Sequence, residues 1–144
     1  MKTSAFLSQL DEQRIIAAIQ AAEAGTSGEI RVDVAEGRVN DALARAGRRF
    51  SQLGMTRTRD RNGVLLFFAP RSQQFAVYGD AAMHERCGEA FWREISEAMT
   101  PLLRDGKFTE AIVFAVQRVG AVLAEHFPRK PDDRNELPDA VTHS

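Results

Sequence analysis

The sequence predicts an α/β fold, an α/β/α sandwich with a mixed central sheet of three to four strands. Three observations carry that prediction. Segments with helical spacing alternate with short strand-like runs in the order helix, strand, helix, strand, strand, helices. The run from Val64 to Ala69 is apolar without a break, as in a strand covered on both faces. The first two strands are separated by a helix, which implies a right-handed parallel crossover, and only a short turn precedes the third. Helices on both faces are the packing solution that buries such a sheet.

Taken in order, Ser8 starts the first helix, with Asp11 three residues on as a capping box. Leu7, Ile15, Ile19 and Ala22 form its apolar stripe, and Gly25 ends it in the left-handed conformation. Glu29 to Ala35 alternates, with Ile30, Val32 and Val34 on one side and Glu29, Arg31 and Asp33 on the other, which predicts a half-buried strand. Asn40 or Asp41 caps a second helix to about Leu53, whose inner face is Leu43, Ala46, Phe50 and Leu53. A polar loop, 54–61, leads through Asn62-Gly63 into the apolar strand. Pro70 to Gln74 turns the chain into Phe75-Ala76-Val77-Tyr78, a hairpin partner closed by Gly79-Asp80. Residues 85–99 place Phe91, Trp92, Ile95 and Met99 on one helical face, and Pro101 kinks this helix or begins another. After Gly106 a long helix runs from Phe108 to Phe127 with Ile112, Ala115, Val119, Val122 and Leu123 inward. From Pro128 the apolar periodicity stops, so the reading is one domain over 1–127 and a disordered tail over 128–144.

Composition bounds the function. The chain has 144 residues, 44% of them hydrophobic, enough for a core without disulfide or metal. Its 19 basic and 20 acidic residues give a net charge of -1, against a dedicated nucleic-acid binder. The lone cysteine, Cys87, excludes an intrachain disulfide and fits a reducing compartment. Met1 to Ser8 has no apolar signal region, and no run approaches the roughly 20 apolar residues of a membrane helix. The expectation is a soluble, cytoplasmic protein.

Several segments in fixed order resemble one family. They are Thr26-Ser27-Gly28-Glu29-Ile30, then Thr58-Arg59-Asp60-Arg61-Asn62-Gly63-Val64-Leu65-Leu66, then Phe75-Ala76-Val77-Tyr78-Gly79-Asp80, Phe91-Trp92 and Gly106-Lys107-Phe108. Together, over about residues 6–127, they resemble the TPM domain in its short bacterial form. The resemblance implies an α/β/α sandwich with a mixed sheet, a shallow site at the strand ends, and calcium binding in some members. It also implies an acid phosphatase activity, described for a plant member, and a LemA-type membrane-protein partner. Tyr78-Gly79-Asp80 stands where the family often has Gly-Tyr-Gly.

The residues themselves offer a carboxylate cluster. Glu29, Asp60 and Asp80 adjoin strand ends, with Asn62 close by. A hard cation such as calcium needs six to eight oxygen ligands, and converging loops can supply them. The alternative is that Asp60 pairs with Arg59 or Arg61, Asp80 caps the following helix and Glu29 is a solvated strand residue. Without an EF-hand pattern, a metal site of Asp60, Asp80, Glu29 and Asn62 must be assembled from distant segments. Metal-assisted phosphate hydrolysis would reuse it, with Arg59 or Arg61, or Arg57 beside them, gripping phosphate through bidentate bonds. Cys87 and Arg93 match the spacing of cysteine phosphatases. Phe91, Trp92 and Glu89 lie between them, where such enzymes wrap backbone N–H groups around the anion, so a structural cysteine is the better reading. His84, His126 and His143 have no ligand-like spacing, and Thr26-Ser27-Gly28 lacks the run of a phosphate loop.

Overall fold

The computed structural model describes residues 1–129 and 141–144. Its elements are α1 (Thr3–Ser8), α2 (Glu12–Glu23), β1 (Glu29–Val34), α3 (Ala42–Gln52), β2 (Gly63–Ala69), β3 (Gln74–Gly79), α4 (Ala81–Arg104), α5 (Phe108–His126) and β4 (Val141–His143). Short 3-10 turns at Met55–Arg57 and Pro70–Ser72 precede β2 and β3. The four strands form one mixed sheet in the order β3-β2-β1-β4. β1 is parallel to β2 and to β4, and β2 and β3 make an antiparallel hairpin. The α/β sandwich expected from the sequence is therefore the observed one.

The larger core lies on one face of the sheet. Ile30, Val32 and Val34 of β1 and Val64, Leu66 and Phe68 of β2 meet Ile15 and Ile19 of α2, Trp92, Ile95 and Met99 of α4, and Ile112, Val119 and Leu123 of α5. The smaller core lies on the other face, where Ala42, Ala46 and Phe50 of α3 cover Leu65, Phe67 and Ala76. β2, buried at every position, is central as predicted.

Several local expectations are corrected. Ser8 ends α1 instead of starting the long helix, and its hydroxyl donates back to the Ala5 carbonyl. Asp11 is the cap, accepting from the Arg14 N–H to start α2. Gly25 is not left-handed: the positive-φ glycines are Gly54, Gly88 and Gly106. Ala46 and Phe50 face inward as expected, but Leu43 is 59% exposed, and Ala42 takes its place on the inner face of α3. β1 is buried at all six positions, not half-buried, and on its charged side Asp33 is engaged by Arg49 of α3. α4 passes through Pro101 and bends instead at Gly88, whose φ of 73° and ψ of 170° separate two helical segments.

Residues 130–140 of the expected disordered tail lie outside the described residues. On either side, Pro128 bridges to Thr26, and Val141–His143 form the fourth strand.

Candidate functional site

Because β1 and β2 run parallel and β3 returns antiparallel, three loops meet at one end of the sheet. Ser27 and Glu29 stand at the start of β1, Asp60 to Asn62 at the start of β2, and Asp80 just beyond the end of β3. Asp80 N–H donates to the Gly63 carbonyl at 2.9 Å, which ties the end of β3 to the start of β2. The candidate site thus lies at the amino ends of the parallel strands. Ligands of open α/β sheets more usually bind at the carboxyl ends.

The loop before β1 is held by the end of α5. Thr26 is buried, its hydroxyl lies against the carbonyls of Leu123 and Phe127, and it accepts from the Gly28 N–H. Ser27 N–H donates to the Phe127 carbonyl at 3.0 Å. With its backbone fixed, the Ser27 hydroxyl joins the two loops. Asn62 Nδ2 donates to Ser27 Oγ at 3.1 Å, and Ser27 Oγ donates to Asp60 Oδ2 at 3.1 Å. Asn62 is fully buried, and with its NH₂ group turned to Ser27 its Oδ1 has no hydrogen-bond partner among the described residues. An amide oxygen taken out of water without a donor costs about 1–3 kcal/mol. Glu29 is buried at the start of β1, opposite Gly63 in the β1–β2 register.

Asp80 belongs to a different arrangement. It caps α4, Oδ1 accepting from the Ala81 N–H at 2.7 Å. Both of its oxygens also accept from Arg61, at 2.9 Å from Nε and 3.0 Å from Nη2. This fork raises the Arg61 guanidinium above its ordinary range, through the hydrogen bonds first and the charge of Asp80 second. Arg61 takes a left-handed φ of 51°, which carries its side chain across to Asp80. Of the two candidate phosphate-gripping arginines, Arg61 thus spends its planar face on Asp80, while Arg59 is exposed on the loop. Among the described residues no three His, Cys, Asp or Glu side chains are grouped so as to hold one metal ion.

Beside the Ser27–Asp60 pair opens a groove of about 380 Å³ lined by Ala82, Glu85, Arg86, His126, Phe127 and Pro128. Ser27 is not among the candidate site residues read from the sequence, where Thr26-Ser27-Gly28 enters only as a family-like segment and as a phosphate loop that fails its pattern. Its place just ahead of β1, like that of Asn62 just ahead of β2, was the available signal.

Cys87 is half-buried in α4, one residue before the bend, and packs against the larger core. Burial pushes its thiol up, and the charge of Glu125 adds to the rise. A phosphatase nucleophile needs the opposite shift.

The family model described as the TPM domain matches residues 1–122. The chain belongs to the TPM domain family. It is also similar to the BA42 protein of the psychrophilic bacterium Bizionia argentinensis, solved by NMR, with 34% identity, 92% of each chain covered and a TM-score of 0.84. No curated protein matches. Within this TPM domain no helix among the described residues is long and apolar enough to cross a membrane.

Proposed function

We propose that this TPM domain is a divalent-cation binding module, with calcium the suited ion, whose ordered loops are presented to a membrane-associated protein of the LemA type. The observation that supports it is the buried Asn62 Oδ1, without a donor among the described residues and linked through Ser27 to the Asp60 carboxylate. A cation would supply the positive partner that oxygen lacks. The groups at hand are all oxygens: the Asp60 carboxylate, the Asn62 amide, the neighbouring Glu29 and loop carbonyls, with water completing the shell. Calcium accepts such mixed, irregular sets of six to eight oxygens, whereas magnesium demands a near-ideal octahedron. Asp80 enters this reading as the device that sets the loop, through its bonds to Arg61 and to the start of α4.

Isothermal calorimetry of chelator-stripped protein tests the reading, with magnesium as control. Saturable calcium binding is expected. Asp60→Ala should weaken it at least tenfold and Asp80→Ala much less, because Asp80 is engaged by Arg61. Equal losses in both variants would make Asp80 a direct ligand. No heat at millimolar calcium would leave a ligand-free scaffold. Turnover of a phosphate ester by the loaded domain, lost in Asp60→Ala, would move the function to metal-assisted hydrolysis.

A further inference from the structure

The other end of the sheet, where β2 finishes, holds a cavity of about 630 Å³. It is assembled from segments far apart in the chain: Phe6 of α1, Phe68 of β2, Phe75 of β3, Leu103 and Arg104 of α4, and Phe108 of α5. Thr3 anchors α1 at this end, its hydroxyl 3.0 Å from the Ala35 carbonyl and 2.8 Å from that of Glu36, just past the end of β1. The four phenyl rings follow one another. Phe108 and Phe6 have centroids 4.9 Å apart, Phe6 and Phe68 5.8 Å, and Phe68 and Phe75 6.2 Å. Phe6 and Phe68 are buried, whereas Phe75, Leu103 and Phe108 are only partly covered. Gly106 also lines the cavity, and a Cβ there would meet no atom within 4 Å, so the chain leaves this side open.

Most polar groups around the rings are already engaged. Gln74 Oε1 accepts from the Ala42 N–H at 3.0 Å, and its Nε2 donates to the Asn40 carbonyl at 3.3 Å. Thr100 Oγ1 donates to the Ser96 carbonyl at 2.8 Å. Two lining side chains, Arg104 and Gln73, have no hydrogen bond or ion pair among the described residues. Among those residues Arg104 is also the one charged side chain of the lining, and no acidic side chain joins it. Asp105 and Lys107 flank it in sequence, are exposed, lie outside the lining and offset one another. A guanidinium and an amide thus border an aromatic surface with nothing anionic in the lining. Small-molecule sites have this make-up, an apolar concavity of about 300–1,000 Å³ with a few polar groups that fix orientation. In open α/β sheets they lie outside the carboxyl ends of the strands, as this cavity does.

We propose that this cavity binds a small aromatic monocarboxylate, its ring system against the phenylalanines and its carboxylate on Arg104. The phenyl rings favour an aromatic body, because offset and edge-to-face ring contacts add to what burial of apolar area alone provides. The guanidinium selects the head group, its planar fork of N–H donors matching the two oxygens of a carboxylate. An uncharged molecule of the same shape would gain the ring contacts and leave Arg104 unpaired. The cavity lies apart from the Asn62 end of the sheet, and its occupancy does not depend on cation binding.

The test uses the full chain with naphthylacetate as the probe, naphthylethanol as its uncharged counterpart and decanoate as an aliphatic acid, each titrated by amide NMR. Saturable shifts are expected from Phe68 to Phe75 and from Leu103 to Phe108. The aromatic acid should bind about fivefold more tightly than the alcohol, the upper range for an ion pair that stays partly in water. Arg104→Gln should remove that advantage and leave the alcohol unchanged; Arg104 is exposed, so the fold should survive. Leu103→Trp fills the cavity from its partly covered wall and should weaken both aromatic probes at least about tenfold. If that variant does not fold, Arg104→Gln decides alone. No saturable shift at millimolar probe, equal affinity for acid and alcohol, or undiminished acid binding in Arg104→Gln overturns the proposal. Tighter binding of decanoate would assign the cavity to an acyl chain and overturn the aromatic class. Shifts of the same residues on dilution without probe would assign the face to a second copy, and a calcium requirement would move binding to the Asn62 end; either overturns it.

Discussion

Asp80 joins elements that are far apart in the chain. Its side chain caps α4 and receives the Arg61 fork, while its N–H reaches the Gly63 carbonyl at the start of β2. Asp80→Ala should cost about 1–2 kcal/mol, the worth of a strong N-cap, as read from the urea midpoint. The ion pair adds little to that figure because the Arg61 side chain is half in water. Asp80→Asn keeps a capping oxygen and should recover most of the loss; if it does not, the charge matters more than the cap. Cys87 gives a second prediction at this scale. Its raised pKa means that the folded thiol stays protonated where a free thiol has begun to ionise. Iodoacetamide should therefore modify Cys87 more slowly than a free cysteine at pH 8. The thiol's contribution to stability is full below the ordinary thiol range and is lost as pH rises through the folded value. Modification as fast as in the urea-unfolded chain would contradict that assignment.

At the scale of elements, the bend of α4 rests on one residue. Gly88 has open space where a Cβ would go, so sterics with neighbours do not require glycine there. Its φ of 73° and ψ of 170° do, because that region is essentially closed to other residues. Gly88→Ala should destabilise by about 1–3 kcal/mol in urea although no atom is crowded. A neutral result would mean that the two segments of α4 merge into a straight helix at no cost. The opposite case is Gly120, where a Cβ would stand 2.6 Å from that of Ala22 and hold α2 and α5 apart. Neither role was legible beforehand, because helical spacing shows which face is apolar but not where the axis bends or how closely two axes approach. The order of α2, β1, α3, β2, β3 and α5 was legible because period and turn residues are local signals. Leu43 misled because the stripe of α3 is made of alanines around Phe50, which weigh little as apolar markers. β4 could not be read at all: its three residues carry no pattern of their own, and the hydroxyls of Thr142 and Ser144 have meaning only against Asp33, far away in the chain.

The whole molecule is lopsided, and that asymmetry bears on how it unfolds. Four helices bury one face of the sheet, whereas α3 covers the other over the large residues of β2 and Ala76 of β3. The candidate site was legible only as a list of oxygens near strand ends. Which of them meet depends on the hairpin returning Asp80 to the start of β2 and on α5 pinning Ser27 beside Asp60. The same sheet that assembles the site must transmit any damage to it. Phe50 is the test of that coupling: it is 1% exposed, its ring lies 5.1 Å from that of Tyr78, and it fills the space between α3 and the sheet. Phe50→Ala should cost about 3–5 kcal/mol, the usual loss for an aromatic core truncation. Against a total stability of about 5–15 kcal/mol, that is a large share. For a chain of this length it should lower Tm by about 10–15 °C. The denaturation curve should remain single, with an unchanged slope, because β2 belongs to both cores and neither can melt alone. Two separate transitions in Phe50→Ala would show instead that α3 and its face form a unit that opens independently of the site-bearing loops.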